Sequence, residues 1–408
     1  MQPKPATPPP GPGLRRGPRP LLLHLALASL KSSGSAAAWP SSNADWQSLI
    51  ARISQSGPAG PLPGGPDAEL IHGIAAYRRH PWVRDVVEPP VVWREGEARL
   101  LDYGGTGTAP PLLLVPSLVN RASILDLASG RSMARHLAAS GLRVFMLDWG
   151  WPDAEARAMD LDALITGRLA RAMAELGRVT LVGYCMGGLL ALAAAQLQPE
   201  RVAGLALLAT PWDFHIGRDT AERRFAQLLE LLEPVMQLTG TLPIDALQLL
   251  FSVGDPHGVG DKYRAFGAAP QDDPRAWQFV AIEDWLNDGV PLATPVARQC
   301  LRLWYGDNAP VRGLWQVAGT AIAPQTLRLP ALVAVPARDR IVPPESAMPL
   351  ATAIPGATLL RPTAGHVGMV AGASAQSGLW EPLAAWAKAV PSAAPGFPKR
   401  RRARKVVP

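Results

Sequence analysis

The sequence predicts an α/β fold in which a mostly parallel sheet is flanked by helices and a helical insertion falls late in the sheet. Three observations carry that prediction. Short apolar runs alternate with stretches of helical periodicity from about Leu70 onward. The alternation lapses between about Trp212 and Leu327, then resumes. One apolar run passes through a glycine-flanked cysteine straight into an Ala/Leu-rich helix.

Taken in order, residues 1–20 are Pro-dense and cannot continue a helix, because proline lacks the N–H and its ring clashes with the preceding turn. Leu21–Leu30 is an apolar run interrupted by His24, with basic residues before it and small residues through Ala38 after it. It loosely imitates a secretory signal, but a Pro-rich leader followed by a short amphipathic helix is the favoured reading. Ser56–Asp67, with its Pro-Gly pairs, reads as linker. Strands are expected at Pro111–Val115, Arg143–Leu147, Val179–Val182, Val202–Leu208, Ala331–Val335 and Ala357–Leu360. Their near-continuous apolar character suits parallel strands covered on both faces. Ser132–Ala139 and Leu161–Leu176 space their apolar residues as helices do, and Gly188–Leu197 is a helix stopped by Pro199. Within the lapse, Ala221–Leu238 and Asp284–Tyr305 read as helices and no strand is convincing, so the stretch is expected to form a cap over the site. The chain thus divides into a leader and linker (1–67), one catalytic domain (68–388, with the cap at about 212–327) and a basic tail (389–408).

At 408 residues, 48% of them apolar, the chain is long enough for a sizeable core. Its two cysteines, Cys185 and Cys300, offer no disulfide framework, and the seven histidines are scattered singly, so neither a metal nor any other cofactor is expected. The net charge of +7 raises nucleic acid as a partner until the charge is located. Eleven of the 40 basic residues lie in residues 1–44 and 389–408, which hold no acid, leaving 29 against 33 acidic residues in the body. No basic face for specific nucleic-acid binding is implied there. No apolar run reaches the roughly 18 residues of a membrane span, so no transmembrane segment is expected. The run Lys399–Lys405 reads as a solvated tail, with an electrostatic tether to an anionic surface as the alternative.

The segment Val179-Thr-Leu-Val-Gly-Tyr-Cys-Met-Gly-Gly188 places Cys185 at a strand-to-helix turn. A nucleophile on such a turn is held in a strained conformation, and its neighbours two residues away on each side must lack bulk; Gly183 and Gly187 meet this need. The first turn of the following helix points N–H groups and a positive dipole end at the nucleophile, favouring negative charge on it or on an adjacent oxyanion. Met186, next in the chain, is the expected first oxyanion donor. The second should come from a backbone N–H after an early strand, and Val119 in Pro116-Ser-Leu-Val-Asn-Arg121 is the candidate. A supporting acid and a base should follow the nucleophile, each just past a late strand. Asp339, after Ala331–Val335, and His366, after Ala357–Leu360, meet that order. Cys300 has no such surroundings and reads as helix core.

This arrangement resembles the α/β hydrolases, and more narrowly the polyhydroxyalkanoate synthases, closest to the shorter synthases of two-component enzymes. The resemblance rests on G-Y-C-M-G-G around Cys185, P-S-L-V-N-R-A-S-I-L-D-L at Pro116–Leu127 and L-D-W-G-W-P at Leu147–Pro152. Arg338–Pro344, Gly365–Gly368 and D-W-L-N-D at Asp284–Asp288 add to it. Arg340 departs from the family, which often has His there. The resemblance implies an acyltransferase: Cys185 as acyl-bearing nucleophile, His366 as base, Asp339 as its support, 3-hydroxyacyl-CoA as substrate and a growing polyester as acceptor. A thioesterase or depolymerase-like hydrolase on the same Cys-His-Asp triad is the alternative, and a non-catalytic granule protein a third. The reading further implies a second synthase subunit or a homodimer as partner. It also implies a cytoplasmic location, granule-associated or free, since a thiol nucleophile suits a reducing compartment.

Overall fold

The computed structural model describes residues 15–32, 67–216, 221–252 and 257–392; the basic tail Lys399–Lys405 and nearly all of the linker lie outside them. Eight strands build the main sheet: β1 (Val91–Glu95), β2 (Ala98–Gly104), β3 (Leu112–Val115), β4 (Val144–Asp148), β5 (Val179–Tyr184), β6 (Val202–Leu208), β7 (Ala331–Ala334) and β8 (Thr358–Leu360). Their spatial order is β1-β2-β4-β3-β5-β6-β7-β8. From β4 to β8 every pairing is parallel, while β1 and β2 form an antiparallel hairpin at the edge. The six strands expected from the sequence are all present, with ends displaced by at most two residues. The hairpin was not expected. Its charged residues Arg94, Glu95, Arg99 and Asp102 belong to an edge rather than to a buried strand, and its turn is made by Gly96 at φ +55°.

Every residue of β3 to β7 is buried, which explains why their sequences are apolar throughout. Successive side chains point to opposite faces. Leu113 and Val115 join the core on one side of the sheet with Leu147, Leu181 and Leu207; Leu112 and Leu114 join the other with Met146, Val182 and Leu208.

The described helices include α1 (Leu21–Ser32), α2 (Ala68–Arg79), α3 (Met133–Ala139), α4 (Ala170–Leu176) and α5 (Met186–Leu197). Ser132 caps α3 by accepting from Arg135 N at 3.0 Å. Residues 161–176 run continuously as expected, with a wider π turn at Ala163–Leu169 leading into α4. Residues 15–32, inside the stretch read as leader, pack on the body: Ala28 of α1 shares an apolar cluster with Leu70, Ile74 and Tyr77 of α2 and with Tyr263, Phe266 and Val280.

Between β6 and β7 no described residue joins the main sheet. This insertion carries α6 (Ala221–Thr239), α7 (Ile244–Ser252), α8 (Gly258–Ala268), α9 (Pro274–Asn287) and α10 (Thr294–Gln299), the last running into a π turn, Cys300–Gly306. In place of the single helix expected over Asp284–Tyr305 there are two. The chain leaves α9 at Asp288, and Gly289 and Pro291 interrupt the helix until Thr294. Short strand pairs the sequence did not reveal also occur, Thr241–Leu242 with Leu292–Ala293 and Gln316–Val317 with Thr320–Ala321. After β7 come α11 (Pro344–Ala353), α12 (His366–Ala371) and α13 (Glu381–Lys388). Among the described residues, no helix is long and apolar enough to cross a membrane.

Candidate active site

Cys185 stands between the end of β5 and the start of α5, with φ 55° and ψ −126°. A non-glycine residue at positive φ is strained by roughly 1–3 kcal/mol, and such strain persists only where the surroundings enforce it. Here its N–H donates to Leu208 O at 2.8 Å, and its carbonyl accepts from Gly188 N at 2.9 Å. Glycines let the backbones close around it. A Cβ on Gly183 would lie 2.4 Å from Gly188 Cα, and one on Gly187 would lie 2.2 Å from Val115 O and 2.4 Å from Pro116 O. Gly187 is therefore where α5 crosses the exit of β3, which brings Cys185 and the Pro116–Arg121 loop side by side. Gly188 also lacks room, since a Cβ there would sit 1.9 Å from Thr210 Oγ1.

Asp339, in the turn after β7, and His366, first residue of α12, are brought together as the sequence order suggests. His366 Nδ1 lies 2.7 Å from Asp339 Oδ2. The other carboxylate oxygen of Asp339 accepts from Ile341 N and Val342 N, both at 2.9 Å, so the acid is fixed before it meets the imidazole. Only 5% of Asp339 and 7% of His366 is exposed, whereas Cys185 is half-buried. Burial alone would push the His366 imidazolium down, but negative charge on Cys185, the Asp339 hydrogen bond and a hydrogen bond to Cys185 outweigh it and hold the group at about 10. A proton on the imidazole is thus stabilised from both sides.

Tyr184 was not singled out from the sequence. Its ring centroid is 5.1 Å from that of His366, and its hydroxyl donates to His366 O at 3.3 Å. Burial, then the charges of Cys185 and Asp339, raise its phenol well above the usual range, so it stays a neutral donor. The signal was present in G-Y-C, where a hydroxyl-bearing aromatic occupies a fully buried strand.

Met186 opens α5, and the N–H groups of a first helical turn have no partner within their own helix. Val119 N is turned onto Ser117 Oγ at 3.3 Å, a long bond within the loop. Asn120 Oδ1 is buried without a partner, and Arg121 Nε meets Asp288 Oδ2 at 3.2 Å. Cys300 lies in the core, where burial raises its thiol and keeps it neutral. Among the described residues, no group of three or more His, Cys, Asp or Glu has a metal-holding arrangement.

A strained cysteine between strand and helix, an Asp-His pair on the loops of later strands and six parallel strands agree with the pattern that matches residues 110–373, that of the α/β hydrolase fold. The chain belongs to that family. Within it, this α/β hydrolase is polyhydroxyalkanoate synthase-like. It is 28% identical over 308 residues to the poly(3-hydroxyalkanoate) polymerase subunit PhaC of Haloferax mediterranei, covering 72% of this chain and 63% of that protein. The chain therefore spans less than two thirds of that relative's length. The subunit of the same name from Allochromatium vinosum is 28% identical over 309 residues, covering 72% of this chain and 86% of that protein. Among solved structures, a thermophilic esterase from Thermogutta terrifontis aligns with 74% of this chain and 98% of its own at 18% identity and a TM-score of 0.44.

Proposed function

We propose that this α/β hydrolase transfers 3-hydroxyacyl groups from a CoA thioester to Cys185 and then to the terminal hydroxyl of a polyester chain. The observation that supports this most is the His366 Nδ1–Asp339 Oδ2 pair at 2.7 Å together with the strained Cys185 at the strand-to-helix turn. His366 takes the thiol proton, and the Cys185 sulfur attacks the thioester carbonyl. The negative oxygen so formed is met by the N–H of Met186 and by that of Val119, which gives up its long bond to Ser117 Oγ. The intermediate collapses, the C–S bond to CoA breaks, and the leaving thiolate takes the proton from His366. In the second half His366 removes the proton of the chain-end hydroxyl, whose oxygen attacks the acyl-cysteine, and the proton returns to the Cys185 sulfur.

Sulfur suits this sequence. Thioester exchange costs little free energy, and the acyl-enzyme remains activated toward an alcohol. The insertion then acts as a cap over the acyl site, with the polyester chain end and a second synthase subunit or a second copy of the chain as the expected partners. A cytoplasmic setting supplies both acyl-CoA and a reduced thiol.

The test is incubation of the protein with 3-hydroxybutyryl-CoA, following free CoA and polymer together. Release of CoA with polymer growth, abolished in Cys185→Ala, is the expected result. Release of CoA with only the free hydroxy acid would overturn polymerisation in favour of a thioesterase.

A further inference from the structure

The loop after β3 is held largely by the insertion. Trp285, in the last turn of α9, donates from its indole Nε1 to Arg121 O at 2.8 Å. Val290 N donates to Val119 O at 2.9 Å. Between these two, Arg121 Nε meets Asp288 at 3.2 Å and the guanidinium lies 5.6 Å from the centre of the Trp151 ring. The carbonyls on both sides of Asn120 are thus tied to one short stretch of the insertion. Because each peptide unit is planar, fixing Val119 O and Arg121 O also fixes the N–H groups of Asn120 and Ala122, and this limits how far the loop around Val119 can shift. At the loop's near end Pro116 O accepts from Trp149 Nε1 at 3.0 Å and lies in the crossing made by Gly187.

The stretch that holds the loop is itself anchored. Asp284, one residue before Trp285, accepts from Tyr77 OH at 2.8 Å and from Arg15 Nε at 2.9 Å. The Trp285 ring is 8% exposed, in the core that also holds Ile124 and Leu125. A rigid donor, buried and anchored from behind, is a means of setting a backbone position to within a fraction of an ångström. Oxyanion stabilisation demands that accuracy, since its donors act only when aimed at the oxygen of the tetrahedral intermediate.

We propose that Trp285 is a positioning residue: its indole N–H, aided by Val290 N and Asp288, sets the Pro116–Arg121 loop beside Cys185, so that Val119 N can exchange its long bond to Ser117 Oγ for the acyl oxygen. This rests on the reading of the loop as half of the oxyanion site, and it ties the insertion to the chemistry through one side chain. Trp285→Phe keeps the aromatic ring and removes the donor.

Two reactions of the same sulfur separate the role from general disturbance. Acylation of Cys185 by 3-hydroxybutyryl-CoA, timed by rapid quench and mass spectrometry, builds an oxyanion. Alkylation by iodoacetamide displaces iodide at a saturated carbon and builds none. In Trp285→Phe, acylation should slow by about tenfold, the scale of one lost hydrogen bond, while KM and the alkylation rate stay within about twofold. Asp288→Asn, at an exposed side chain, should show the same pattern with about a threefold loss, and it carries the test if the Trp285 variant fails to fold. Unchanged acylation, or equal slowing of both reactions, would overturn the proposal. If wild-type protein is not acylated by the CoA thioester, the substrate reading falls. The comparison then proceeds with p-nitrophenyl acetate, whose attack also builds an oxyanion.

Discussion

Replacing Asp339 by Asn tests the pairing on which the proposed chemistry depends. In the native site one carboxylate oxygen accepts from Ile341 N and Val342 N and the other lies 2.7 Å from His366 Nδ1. The asparagine oxygen can keep the two backbone bonds, and that choice turns its NH2 group toward Nδ1. The imidazole must then accept at Nδ1 and carry its hydrogen at Nε2, facing Cys185, where it cannot take the thiol proton. In a serine-protease triad the equivalent change lowers kcat by about ten-thousandfold through the same tautomer reversal, and a loss of that order is expected for CoA release here. The charge-assisted bond to the carboxylate is worth about 1.5–3 kcal/mol, which corresponds to a fall of about 1–2 units in the His366 titration. Imidazole NMR across the alkaline range should therefore find the group near its native position of about 10 in wild type and clearly lower in the variant. An Asp339→Asn protein with native activity, or with an unmoved His366 titration, would refute the argument that Asp339 holds the base.

Gly187→Ala should fail more severely than its small size suggests, because the new methyl would meet the backbone oxygens of Val115 and Pro116 at 2.2 and 2.4 Å; loss of soluble folded protein or of Cys185 alkylation would register it. Arg15→Ala leaves the partly buried Asp284 with Tyr77 and without its cation, at a cost of about 2–3 kcal/mol, so hydrogen exchange in α1 should accelerate by at least about tenfold. His366 binds its proton more tightly folded than unfolded, its position rising from 6.5 to about 10. That contribution to stability is complete below pH 6.5 and is lost as pH climbs toward 10, so thermal melts across this window should show a decline that His366→Gln reduces.

The parallel strands were legible because burial on both faces leaves a continuous apolar run, and Val202–Leu208 could be placed to the residue. The hairpin was not, since at an edge half the side chains meet water and Arg94 or Asp102 look like loop. Asp339 and His366 could be placed through their order behind strands, although nothing local to either residue says that they meet across 27 positions of chain. Helical spacing misled over Asp284–Tyr305, where apolar residues keep the helical period while Gly289 and Pro291 break the backbone. The break is what frees Val290 N to reach Val119 O. Trp285 reads as core from sequence, and its polar edge acquires a role only when a loop 164 residues away in sequence presents a carbonyl to it.

The exposure of the three central groups bears on why transfer to an alcohol can compete with hydrolysis in the proposed reaction. Asp339 and His366 are almost wholly covered, and only Cys185 retains access. A general base activates whichever hydroxyl reaches it, so selectivity between water and a chain end depends on what can approach His366 rather than on its basicity. Tyr184 lies tilted beside it and Asp339 behind it, and of the three groups only Cys185 is partly open, so in the proposed reaction an acceptor reaches the imidazole past that sulfur. An acyl group on that sulfur then occupies the same approach. If the insertion caps the site as proposed, a hydroxyl carried on a long apolar chain gains binding energy along it that a water molecule cannot, and that energy can be spent in holding its oxygen in line with the thioester carbonyl. On this argument the ratio of polymer to free acid should follow the length of the primer chain, with Cys185, His366 and Asp339 unchanged.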